Sequence, residues 1–285
     1  MSSTAVHPRH PWTGQVAAIA TKHGKQRQFG PPLARLVGLE VVVAAVDTDL
    51  LGTFSGEVPR PGSPLETARR KAEWAIEDSG ARIGLASEGS FGPHPDVPYL
   101  AVGVELAICL DEQNELEIVE HVMSTDTNFQ HLDVSELPIP AAFFQSADFP
   151  AHALVVSPPG ETTPMFKGLV DRDEVDHAVA VCLDRAGRAL LQTDMRAHLN
   201  PTRQRNLTKL ADQLARRIAT LCRACGSPGW GLVTVETGLP CEWCARPTLL
   251  VASDVFGCAH AGCDERRREP RVELAPAGQC PACNP

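Results

Sequence analysis

The sequence predicts an α/β protein with a mixed-sheet core, followed by a small metal-stapled module. Three observations point there. Apolar runs of strand length alternate with helix-period stretches as far as Thr220. Recognisable caps and stops bound the longer helical stretches. Eight of the ten cysteines fall after Leu221, in close pairs. The expected organisation is a flexible tail over 1–14, an α/β domain over 15–220 and a cysteine module over 221–285.

The run QVAAIA (15–20) reads as a buried strand, followed by the polar turn TKHGK, a helix to about Leu36 and a β-branched strand in GLEVVVAAV. Residues 47–63 carry Gly and Pro at turn density, so they read as a long loop, a candidate lid. Ser63 caps the next helix with Pro64 at its first position, and Leu65, Ala68, Ala72, Ala75 and Ile76 mark its apolar face. The strand ARIGLAS then delivers Glu88 into a corner rich in Gly and Ser. A hairpin is expected from YLAVGVELAICL and LEIVEHVM around the turn DEQN. Residues 124–150 give no clear period. After the strand HALVVS, a helix spans Asp171 to Ala186, with a capping box from Asp171 to Glu174, a face of Val175, Ala178, Val179, Cys182 and Leu183, and Gly187 as its stop. The strand RALLQT leads through TDMRAHLNPTR into a last helix capped by Asn200, with Leu207, Leu210, Leu214 and Ile218 on one face.

The formal charge over 285 residues is −9, and eight zinc-bound thiolates with two Zn²⁺ would shift it to about −13. Such a chain is not built to wrap nucleic acid, whose phosphates need a positive surface. The N-terminal stretch lacks the apolar segment of a secretory signal, and no apolar run reaches the roughly 20 residues of a membrane helix. The expectation is a soluble, cytoplasmic protein with no membrane partner.

Cys222-x2-Cys225, Cys241-x2-Cys244, Cys258-x4-Cys263 and Cys280-x2-Cys283 have the spacing of two four-thiolate zinc sites. Closed four-cysteine sites have no open coordination position, which makes them structural. Sequential pairing, the first four cysteines on one ion and the last four on another, is the favoured zinc-ribbon reading, although a cross-braced arrangement shares the same spacing. His260 reads as a surface residue rather than a ligand, and Cys109 and Cys182 read as small buried hydrophobes. The module is expected to contact a protein partner or the core domain. Redox cycling of the cysteine pairs is the minor reading.

Glu66, in the first turn of its helix, and Glu88, at the end of the next strand, are expected to open onto one rim, where two carboxylates could hold Mg²⁺ and orient a water on a phosphate. The competing reading of Glu66 is a helix-terminal carboxylate only. Lys22, His23 and Lys25 offer cations beside a helix N-terminus, as do Arg196, His198, Arg203 and Arg205 near the last helix. Asp194 would position an arginine or join the metal shell.

The stretches ATKHGKQRQF, SPLETARRKA and GLASEGSFG resemble, in the same order, three segments of the inosine and xanthosine triphosphate pyrophosphatases. The resemblance implies that fold, Mg²⁺-dependent removal of pyrophosphate from non-standard nucleoside triphosphates, and roles for Lys25 on phosphate, Glu66 on metal and Glu88 on the attacking water. The chain departs from that pattern: its first turn is one residue shorter and lacks the usual Asn, and Ser87 replaces an acidic residue. From about Gln15 onward the chain resembles more closely an uncharacterised bacterial family that joins such a core, TDMRAHLNPTR included, to C-terminal cysteine turns. The expected function is therefore a nucleotide phosphohydrolase using Mg²⁺ and carrying two structural zinc ions. The alternative is a non-catalytic nucleotide sensor or zinc-ribbon adaptor.

Overall fold

The structure, a computed structural model, describes residues 10–52, 58–161 and 165–284. Part of the expected tail (residues 1–9) and part of the expected lid (residues 53–57) lie outside these residues. Residues 11–14 form a turn with Trp12 fully buried.

The chain divides into two compact units: Trp12–Asp111 with Val119–Ala215, and Met1–Pro11 with Glu112–Ile118 and Arg216–Pro285. The larger unit opens with β1 (Val16–Ile19), α1 (Gln26–Val37), β2 (Glu40–Val43), α2 (Pro64–Ser79) and β3 (Ile83–Pro93). β1 pairs in parallel with β2 on one side and β3 on the other. β4 (Ala101–Asp111) runs antiparallel to β3, and β5 (Leu116–Ser124) completes a five-stranded mixed sheet of order β2-β1-β3-β4-β5. The apolar face expected of α2 is the one buried: Ala68 and Ala72 pack with Ala86, Ile108 and Leu110, and Ala75 with Ala18, Ala20 and Ala44. Contact is tight enough to dictate Gly84, where a Cβ would lie 2.3 Å from the carbonyl oxygen of Ala72.

β3 corrects one expectation. It does not end in a corner at Glu88 but continues to Pro93, paired with β4 from Gly84↔Leu110 to Pro93↔Ala101. Gly89 and Gly92 are strand residues, not turn residues.

The stretch without a clear period contains β6 (His131–Val134) and α3 (Ala141–Ser146), and beyond it lie β7 (Leu154–Ser157), β8 (Phe166–Leu169), α4 (Arg172–Ala186) and β9 (Ala189–Thr193). These strands form a second sheet of order β6-β9-β7-β8. Val175, Ala178, Val179 and Cys182 of α4 are buried in its core with Leu154, Val156 and Leu191. Cys182 and Cys109 are both fully buried, as small apolar groups should be. Burial and Asp111 raise the thiol pKa of Cys109.

α5 (Pro201–Ala219) buries Leu207, Leu210, Leu214 and Ile218. In the smaller unit, β10 (Gly231–Thr237), β11 (Val251–Gly257) and β12 (Arg266–Pro270) form an antiparallel sheet of order β10-β11-β12. The segment Glu112–Ile118 packs in this unit: Leu116 bridges His260, and Ala261 N donates to Glu115 O at 3.1 Å. No helix of the described residues is long and apolar enough to cross a membrane.

Candidate functional site

In a sheet of order β2-β1-β3, the chain leaves β1 toward one side and returns to the other, so a crevice opens beyond the carboxyl end of β1, beside the stretch of β3 that continues past its pairing with β1 at Leu85. A hollow of about 130 Å³ lies there, lined by Ala20–His23 and Lys25 after β1, Ser87 and Glu88 on β3, and Arg203 on α5. Thr48, Asp49, Gly52, Arg60 and Lys71 complete the wall. The turn after β1 is organised by Thr21, whose Oγ1 accepts from the backbone N–H of His23 and Lys25 at 3.2 and 3.4 Å.

Lys25 is buried, and its Nζ donates to the carbonyl oxygen of Ser87 at 2.8 Å. Burial, reinforced by Arg203, pulls its pKa down to about 8. Glu88, also buried, is held on both oxygens, by Lys71 Nζ at 2.5 Å and Arg60 Nη2 at 3.1 Å. Arg203 is clamped by Glu105 at 2.6 and 3.2 Å and donates to Met195 O. Lys22 sits between Asp47 and Asp49 at 2.8 and 2.7 Å, and these two carboxylates raise its pKa. Burial, then the neighbouring His198 and Lys25, depress His23 to about 4, so it is uncharged at neutral pH and adds no cation. The ring of His198 stacks on His23 with centroids 4.6 Å apart.

The lining holds five cations, Lys22, Lys25, Arg60, Lys71 and Arg203, against the carboxylates Asp49 and Glu88. Among the described residues, counting Asp47 and Glu105, which pair with Lys22 and Arg203, the cluster of five cations and four carboxylates keeps about one net positive charge. Within it, Lys22 with two carboxylates is one charge negative, Glu88 with two cations is one positive and Arg203 with Glu105 is neutral, so Lys25, whose hydrogen-bond partner is a backbone carbonyl, supplies the remaining positive charge.

The structure thus brings together Lys22, His23, Lys25, Glu88 and Arg203, with His198 joined through His23. It does not bring Glu66 to them. Glu66 Oε2 accepts from Ser63 N at 2.8 Å while Ser63 Oγ accepts from Glu66 N at 3.2 Å, a closed capping box that lowers the Glu66 pKa. Asp194 positions Arg196, accepting from its backbone N at 3.0 Å and from Nη2 at 2.6 Å, and neither residue lines the hollow. The N-terminus of α5 is also already satisfied. Asn200 Oδ1 accepts from Arg203 N at 2.9 Å, and the buried His152 Nε2 accepts from Thr202 N at 3.2 Å. Arg205 pairs with Asp126 at 3.4 Å.

Sequence reasoning missed Arg60, Lys71, Ser87 and Glu105. Two of them leave a signal: Lys71 interrupts the apolar stripe of Ala68, Ala72 and Ala75, and Glu105 shares the buried alternation of Ala107 and Cys109. A charge on a buried face needs a partner, so each predicts an ion pair.

The eight clustered cysteines form two sets, Cys222, Cys225, Cys258 and Cys263, and Cys241, Cys244, Cys280 and Cys283. Sequential pairing is therefore incorrect; the arrangement is cross-braced. Strand register gives the reason. Gly231 at the start of β10 faces Gly257 at the end of β11, which brings the first cysteine pair to the third. β10 spans seven residues, roughly 23 Å of extended chain, and holds the first and second pairs at opposite ends. Sulfur separations of 3.9 Å for Cys222–Cys263 and 3.5 Å for Cys225–Cys258, then 3.9 Å for Cys241–Cys283 and 3.7 Å for Cys244–Cys280, match the roughly 3.8 Å edge of a tetrahedron with 2.3 Å metal–sulfur bonds. Both sets could hold a metal ion, consistent with zinc. Backbone N–H groups of Trp243 and His260 approach Cys241 Sγ and Cys258 Sγ at 3.4 Å, the kind of donor that stabilises a thiolate. His260 is outside both sets, its Nδ1 accepting from Gly262 N at 3.0 Å.

No curated protein matches the chain. A family model described as a domain of unknown function, DUF6671, matches residues 71–285, which include Lys71, Ser87, Glu88, Arg203 and all eight clustered cysteines. The chain belongs to the DUF6671 family.

Proposed function

We propose that the larger unit binds a nucleotide or a similar phosphorylated metabolite by its phosphate, in the cation-lined hollow beyond β1 and beside β3. The supporting observation is Lys25, a buried cation at that crevice with no carboxylate among its hydrogen-bond partners. A buried charge without a directly paired counter-charge is costly, and an anionic ligand reduces that cost. Size agrees with a phosphate-sized group: a hollow of about 130 Å³ is well below the several hundred Å³ that enclose a complete drug-sized molecule, so the remainder of the ligand would lie outside it.

Hydrolysis of a phosphoanhydride is the catalytic form of this reading. Glu88 would orient the water, while Lys25 and Arg203 neutralise developing charge. Mg²⁺ has weaker support, because the capping box engages Glu66 and Glu88 is engaged by two cations. The double engagement of Glu88 favours a second reading, a ligand sensor without turnover. The two cysteine sets serve as structural zinc sites in either case, and a protein partner of that module remains part of the proposal.

Incubating the zinc-loaded protein with canonical and deaminated nucleoside triphosphates, with and without Mg²⁺, separates the readings. Phosphate or pyrophosphate release above a Glu88→Gln control supports hydrolysis. Thermal stabilisation without release supports sensing. No stabilisation by any nucleotide refutes the pocket.

A further inference from the structure

Ser87 lines the hollow, is 2 % exposed, and among the described residues its hydroxyl has no hydrogen-bond partner. A buried hydroxyl without a partner carries a desolvation cost, which a native fold tolerates where a ligand supplies the missing bond. Its surroundings identify the ligand's chemistry. Lys25 uses one of its three N–H donors on the Ser87 carbonyl, and Lys71 uses one of three on Glu88. Among the described residues, two donors on each lysine and the Ser87 hydroxyl are left without a partner, about five donors on residues that line one small hollow.

Common anions differ in how many such donors they can use. A carboxylate presents two oxygens in one plane, and a phosphodiester presents two non-bridging oxygens. A terminal phosphoryl group presents three strong acceptor oxygens and carries about −1.5 to −2 charge near neutral pH. The donors come from the turn after β1, from α2 on one face of β3 and from the Ser87 side chain on the other, a spread that suits a tetrahedral group better than a planar one.

We propose that the ligand enters with a terminal phosphoryl group, as a phosphate monoester or the end of a phosphoanhydride chain, and that the Ser87 hydroxyl binds its third oxygen. This inference rests on the phosphate-binding reading above and narrows its ligand class.

The test is calorimetric titration of the full-length, zinc-loaded protein with methyl phosphate, dimethyl phosphate and acetate, repeated on Ser87→Ala. Methyl phosphate should bind at least ten-fold tighter than dimethyl phosphate or acetate, and Ser87→Ala should weaken it at least five-fold with zinc content and thermal midpoint preserved. Equal binding of the three probes, or methyl phosphate affinity unchanged in Ser87→Ala, overturns this inference and leaves the anion pocket standing. Binding of none of the probes overturns the pocket reading with it. If Ser87→Ala lowers the thermal midpoint, Ser87→Cys, which keeps a weak donor, provides the second comparison; affinity there no better than in Ser87→Ala also counts against the hydroxyl's role.

Discussion

Gly89 owes its identity to a charge pair and not to a turn. A Cβ at this position would lie 2.5 Å from Arg203 Nη2 and 2.9 Å from Glu105 Oε2, the two halves of an ion pair whose side chains are each 2 % exposed. Gly89→Ala must therefore displace a buried guanidinium from its carboxylate, and should cost about 3 kcal/mol or more in a denaturant titration. Gly92 meets nothing within 4 Å of its virtual Cβ, so Gly92→Ala should stay within about 0.5 kcal/mol of the parent. Glu88 was legible as a functional candidate because a lone carboxylate closed an apolar run, but the same glycines and serines disguised a strand as a corner. Lys25 makes a separate prediction. Its pKa falls from 10.5 to about 8 on folding, so between those values the unfolded chain holds the extra proton and stability rises with pH. Without ligand, the parent should gain up to about 3 kcal/mol from pH 8 to pH 10.5 relative to Lys25→Met, and parallel stability curves over that window would contradict it.

α2 shows how an element can answer a question posed by one of its residues. Its reciprocal cap uses the Glu66 carboxylate and the Ser63 hydroxyl together, which leaves Glu66 with a purely helical explanation. Ser63→Ala should lower stability by about 1 kcal/mol. Glu66→Gln keeps the reciprocal bond and should leave both stability and phosphate affinity nearly unchanged, whereas a two-carboxylate metal site would lose its Mg²⁺ dependence in that variant. The four longer helices were readable because caps, stops and apolar stripes reinforce each other along a dozen or more residues, whereas the six residues of α3 are too few for that. The four-residue strands β6 and β8 have no room for a period, and they became strands through pairing with β9 and β7. The hairpin of β3 and β4 was hidden for a different reason: Gly89, Gly92 and Pro93 carry local turn signals that long-range pairing overrides.

The metal module depends on interleaving. Each proposed zinc ion ties one tight C-x-x-C turn to cysteines contributed much later in the chain, 222 and 225 to 258 and 263, then 241 and 244 to 280 and 283. The first two turns are built alike. Cys222 N donates to Ser227 O and Gly226 N to Cys222 O, as Cys241 N donates to Arg246 O and Ala245 N to Cys241 O. Gly226 and Ala245 both take a positive φ, at 76° and 58°. That repeat was visible in sequence, yet local spacing is the same for sequential and cross-braced pairing; only the register of β10 on β11 distinguishes them. Double substitutions read the topology through metal content. Cys222→Ser with Cys258→Ser damages one set and should leave about one zinc per chain, while Cys222→Ser with Cys241→Ser damages both and should leave about none. Sequential pairing demands the reverse outcome, because Cys222 and Cys241 would then share an ion. Quantifying zinc by mass spectrometry under native conditions decides between them, and because structural zinc supplies roughly 10 kcal/mol or more to such small modules, the zinc-free variant should also lose the part of the β-sheet signal that β10, β11 and β12 contribute.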